Sequence, residues 1–175
     1  MKTFVQKLVI AGIFFSFFCS SSFGYEINSR YATLIYTDDK QLSEFSKKAL
    51  ENISCQGGSV ALSDEVNCKL DVLIDKVAMI LLQSQPTEEL KFEILLVTSA
   101  ADIQTIYMDK CGKDYGYIAF YSPKDDIIFF SVGDLRPGVL AHELAHVIIY
   151  HYFYSTISST IQELLAQFVE SHIDD

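Results

Sequence analysis

The sequence predicts an α+β domain in which a small mixed sheet with an edge hairpin packs on helices. Two observations carry this. Short β-rich runs at Tyr31–Thr37, Phe92–Val97 and Asp126–Val132 alternate with stretches of helical periodicity, and Val139–Phe153 is an almost wholly apolar helix that has to be buried.

Residues 1–24 read as a targeting segment. Lys2 and Lys7 supply a positive start, Leu8–Phe18 an apolar run of eleven residues, and Ser20–Ser22 with Gly24 a small-residue cleavage site. The run is short for a bilayer span, which needs about 20 apolar residues. A cleaved signal peptide is therefore expected, with an uncut anchor as the alternative. Cys19 is a weak lipid-attachment site because bulky Phe18 precedes it. The remaining 151 residues, 25–175, suffice for a single domain with one core.

Along that domain, Tyr31–Thr37 is the first expected strand, and Asp38 or Asp39 caps a helix running to about Leu50. Asn52–Ser63, with Gly57 and Gly58, is a loop. From Asp64 to Gln83, Val66, Leu70, Leu73, Ile74, Val77, Ile80 and Leu81 recur at helical spacing, and Pro86 ends the helix. Phe92–Val97 suits an interior strand, and Ser99 caps a helix to Met108 that Gly112 closes. Tyr115–Tyr121 and Asp126–Val132 form a hairpin around Ser122-Pro123-Lys124-Asp125. Asp134 is the expected cap of the next helix, with Pro137 in its first turn. A break at Ser155–Ser159 precedes a last helix, Thr160–Ile173.

The chain has a net charge of -10, and removing the two lysines of the signal gives -10 - 2 = -12 for residues 25–175. Such acidity disfavours nucleic acid and anionic membrane surfaces, which need clustered Lys and Arg. No stable membrane insertion is expected once the signal is cleaved, and a secreted or periplasmic location follows from it. Three cysteines remain in an oxidising compartment. Cys55 with Cys68 is the preferred pair, clipping the loop between two helices, and Cys111 is expected free and buried.

The chemistry concentrates at His142-Glu143-Leu144-Ala145-His146. Residues four apart share a helical face, so both imidazoles can hold one zinc ion while the helix fixes the angle between them. Glu143, one step of about 100° on, stands beside the metal and is placed to activate a water for attack on a carbonyl. Chance writes this motif in roughly one such chain in two hundred, and an apolar helix makes two unpaired histidines and a glutamate costly. The contrary reading is a pair of core histidines bonded to backbone carbonyls.

An open zinc site needs a third protein ligand. Glu163 is the best candidate, 17 residues after His146, because a helical hairpin through Ser155–Ser159 folds it back on the first helix. Glu170, seven residues on, is its competitor, and Gln167 shares its face and can bond a ligand. His151 lies about 180° from His142 around the helix and faces away, and His172 is near a terminus, so both read as structural or surface groups.

From Tyr115 to Glu170 these residues resemble the gluzincin branch of HExxH metallopeptidases, the thermolysin-like catalytic subdomain and its compact peptidase MA-like relatives. The resemblance rests on Tyr117–Tyr121, Ile127–Val132, Val139–His146 and Ile161–Glu170. It implies a zincin-like fold with the zinc site between the last two helices, Glu163 as third ligand, and a strand near Ile127–Val132 as the sheet edge that receives an extended peptide or protein substrate. Metzincins would need glycine and histidine where this chain has Ile149 and Tyr152. Full-length thermolysin-like enzymes draw an oxyanion donor from a further domain; within this sequence Tyr117, Tyr121, Tyr150, Tyr152 and Tyr154 are candidates, none singled out. The expected function is an exported zinc metallopeptidase. The alternative is a catalytically inactive zinc-containing binding or structural protein of the cell envelope.

Overall fold

The computed structural model describes residues 24–55, 61–112, 116–153 and 156–174. The expected signal peptide, apart from Gly24, lies outside the described residues. Strands β1 (Tyr25–Asn28) and β2 (Ala32–Tyr36) lead into helices α1 (Asp39–Ala49) and α2 (Leu62–Leu82). Strand β3 (Phe92–Val97), helix α3 (Ala100–Cys111) and the hairpin β4 (Ala119–Ser122) and β5 (Ile127–Ser131) follow. Helices α4 (Pro137–Phe153) and α5 (Ser159–His172) complete an α+β architecture.

Local chemistry sets most of these limits. The Asp38 carboxylate accepts from Gln41 N at 2.8 Å to start α1. Ser99 and Asp102 form a reciprocal capping box on α3, and Gly112, at φ 65°, supplies the left-handed residue that ends it. Asp134 does not cap α4 as expected. Its carboxylate accepts from Ala100 N (3.0 Å) and Ser131 Oγ (2.9 Å), tying the loop after β5 to the start of α3, while α4 begins at Pro137 itself. That tie is long-range, and a capping rule reads only neighbours.

The sheet is mixed, in the order β1-β2-β3-β5-β4. β3 lies parallel to both β2 and β5, whereas the two outer pairs are antiparallel. This corrects the expected edge. β5 is interior, and β4 is the edge strand on that side. The physical reason lies in Ile127-Ile128-Phe129-Phe130, which is apolar on both faces and so suits a strand paired on both sides. β1, four residues immediately after Gly24, pairs with β2 and was not anticipated.

Alternation divides the core between two faces. Ala32, Leu34, Phe92, Ile94, Ile128 and Phe130 join the main core, packed with residues of α1, α2, α4 and α5. Phe120 and Phe129 point the other way, onto Ile103 of α3. No helix among the described residues is long and apolar enough to cross a membrane.

Cys55 and Cys68 are joined, with Cα atoms 6.1 Å apart, pinning the loop before α2 to that helix. Cys111 is free but exposed, contrary to the buried position expected for it. Closing a loop of this size stabilises by about 3 kcal/mol in the chain-entropy picture. Replacing both bridged cysteines by serine is therefore expected to lower the urea-unfolding free energy by about 2–4 kcal/mol.

Candidate metal centre

α4 runs through the main core on Leu140, Ala141, Leu144, Ala145, Val147 and Ile148, all buried. Its remaining face carries His142 and His146 toward α5, which Ser158 caps through its hydroxyl to Ile161 N. Ala166 and Val169 seat α5 on the core, and this turns Glu163 toward the two histidines.

The three side chains expected to hold a metal meet. His142 Nε2 and His146 Nε2 are 3.2 Å apart, and Glu163 oxygens lie 3.5 Å from the first and 3.6 Å from the second. Donors at 2.0–2.1 Å from a tetrahedral zinc are about 3.3 Å from one another; here Oε1 approaches His142 and Oε2 approaches His146, and one ligand atom from each residue lies within 4.8 Å of the others, close enough to converge on one ion. Burial, with the adjacent His142, lowers the His146 pKa and keeps its ring neutral, as a metal ligand must be. His142 Nδ1 lies 3.1 Å from Glu170 Oε2. A carboxylate only accepts, so Nδ1 carries the hydrogen and Nε2 turns its lone pair toward the other two donors. The donor set and the tautomer both fit zinc.

Two supports lie behind these groups. Gln167 Nε2 donates to Glu163 Oε1 at 3.1 Å, the partnership its place on the helix face led one to expect. Glu170, weighed only as a competing ligand, instead sits on the far nitrogen of His142. Carboxylates in this position orient ligating imidazoles and raise their basicity. Glu170 rests on Gly138, where an added Cβ would come 2.9 Å from its Cγ. Gly138→Ala is accordingly expected to push Glu170 off His142 and to weaken zinc binding by about 10–100-fold, measured by competition with a chromogenic chelator.

Glu143 is buried at 8 % exposure, and its Oε2 accepts from Tyr121 N at 2.8 Å. Burial pushes its carboxyl up to about 8, opposed by the Tyr121 N–H and reinforced by Glu163 and Glu170. The bond fixes Glu143 between the metal triangle and the edge strand. Just before β4, Ile118 O accepts from Ser131 N (2.9 Å), and within the strand Phe120 lies opposite Phe129, so residues 118, 120 and 122 face β5. Ala119 and Tyr121 therefore turn their main-chain groups outward. Tyr121 N–H meets Glu143, and both polar groups of Ala119 face the cleft of about 560 Å³ that β4, α4 and α5 enclose.

His151 and His172 are placed elsewhere. His151 Nε2 lies 3.0 Å from Asp126 Oδ1, and Tyr121 OH donates to the same oxygen at 2.7 Å. Burial and that bond hold the Tyr121 phenol far above its ordinary range. Tyr152 OH accepts from Thr87 N at 2.7 Å, and His172 stacks on Phe168. Tyr117 lines the cleft, whereas Tyr150 packs edge-on against Tyr121 and His151. Tyr154 lies outside the described residues.

No known protein family matches the sequence, and neither a curated protein nor a solved structure is significantly similar to it.

Proposed function

We propose that the protein is an exported zinc metallopeptidase, with His142, His146 and Glu163 holding the metal and Glu143 acting as general base. The observation that carries this reading is the juxtaposition of the two-histidine, one-carboxylate triangle with a buried acid, at the floor of a cleft bordered by a sheet edge. A purely structural metal site has no use for an ionisable group fixed beside the metal.

Zinc, when bound there, supplies the Lewis acid that makes water acidic at neutral pH and polarises a scissile carbonyl. Beside a dication, whose charge favours the ionised carboxylate that burial alone disfavours, Glu143 takes the proton of the attacking water on Oε1, since Oε2 is held by the Tyr121 N–H. It then returns that proton to the departing amine. Glu170 holds the His142 ring through Nδ1, and Gln167 steadies the Glu163 carboxylate. An extended peptide lies along β4, exchanging main-chain hydrogen bonds with Ala119 as a strand added to the sheet. The reading thus places the substrate on β4.

The test is chelator-sensitive cleavage of an unfolded protein by the purified chain, with activity restored by zinc. Restored cleavage supports the peptidase. One zinc per chain with no cleavage supports the alternative, a zinc-containing binding or structural protein of the cell envelope.

A further inference from the structure

We infer that the cleft selects extended peptides in which a large aromatic or aliphatic residue is flanked by basic residues, and that it rejects acidic ones. This rests on the peptidase reading for the site and adds the substrate class.

Charge is the first ground. Among the described residues the cleft lining contains Glu143, Glu163 and Glu170 but no lysine or arginine. The asymmetry extends beyond the lining, because residues 137–175 carry five acids and no lysine or arginine. Even with a dication bound, the carboxylates of Glu163 and Glu170 leave no positive excess for an acidic side chain. The surrounding field of a chain at -10 draws basic peptides toward it.

The second ground is an aromatic wall on the other side of β4. Tyr107 of α3 meets the rings of Tyr117 and Phe120 edge-on, each at 4.9 Å between centroids, and all three border the cleft. Tyr117 is 43 % exposed and presents the accessible part of that wall. Lys110 of the same helix is committed to Asp125 (2.7 Å) and to the face of Phe129 (5.2 Å), so its charge is already partnered.

Strand geometry joins the two grounds. Phe120 points to the α3 side, whereas Ala119 and Tyr121 point to the α4 side. A peptide added beside β4 alternates in the same way. One side chain meets the aromatic wall, and its neighbours on either side face the acidic side of the cleft, where Glu163 and Glu170 lie.

The experiment uses three fluorescent decapeptides with one Gly/Ser frame, carrying Lys-Phe-Lys, Glu-Phe-Glu or Lys-Ala-Lys at the centre. Binding is read by anisotropy on the zinc-loaded Glu143→Gln variant, and cleavage on the unsubstituted protein. Lys-Phe-Lys is expected to bind about tenfold tighter than Glu-Phe-Glu at low salt, with the gap closing as salt rises. Tyr117→Ser and Tyr107→Leu, each checked for zinc content, are expected to shrink the Phe-over-Ala preference and leave the Lys-over-Glu gap. Equal affinity for the three peptides, no binding of any, or an unchanged Phe preference in both zinc-loaded variants would overturn the inference. Ranked binding without cleavage leaves it standing and removes the peptidase reading; cleavage of all three at equal rates does the reverse.

Discussion

Glu143→Gln is expected to slow peptide cleavage by about 10²–10⁴-fold while leaving one zinc per chain. The argument turns on what glutamine keeps. Its amide oxygen still accepts the Tyr121 N–H that Glu143 Oε2 accepts at 2.8 Å, so the edge strand stays tied to α4. Its volume matches, so the buried position is filled without a cavity. Only the capacity to take a proton goes. Glu143→Ala is a less clean probe, because it leaves the Tyr121 N–H without that partner, at about 1–3 kcal/mol. Turnover is measured on an unfolded protein and zinc by mass spectrometry. A glutamine variant that cleaves at the unsubstituted rate would remove Glu143 from the chemistry.

Glu163→Ala is expected to weaken zinc binding by more than the roughly 10–100-fold that loss of an outer partner costs, because a direct ligand goes. The apo fold should hardly notice. The Glu163 side chain is 51 % exposed, and an exposed substitution of this kind changes stability by about 0.5 kcal/mol or less. Zinc affinity and unfolding free energy therefore separate in this variant. Glu170→Ala provides the internal comparison, since Glu170 touches His142 only through Nδ1, so a smaller loss is expected there. Equal losses from the two variants would place both carboxylates on the metal.

The parts legible in the sequence are those governed by neighbours along the chain. His142 and His146 share a helical face by spacing alone, and the caps at Asp38, Ser99 and Gly112 are single-residue signals found where expected. Glu163 was reachable because a short break between two helices folds the second back on the first. The Cys55–Cys68 pair was reachable because it closes a loop onto the helix that follows.

What was not legible depends on residues far apart. Strand order is set by which apolar runs cover each other, and it put β5 inside the sheet and β4 at its edge. The Tyr121–Glu143 bond spans 22 residues and joins a main-chain N–H to a side chain, for which no residue pattern exists. Glu170 was visible as an acid seven residues after Glu163, yet its service to the far nitrogen of His142 depends on the close approach of α5 to Gly138. That glycine at the start of α4 was the available signal, and it has meaning only once the two helices are packed.

X-ray absorption at the zinc edge of the purified chain tests the central claim most directly. The account predicts one zinc per chain, with two imidazole nitrogens and a carboxylate oxygen at about 2.0–2.2 Å, and a spectrum that Glu163→Ala alters. A folded chain that takes up no zinc, or one whose zinc keeps the same spectrum in Glu163→Ala, would contradict it.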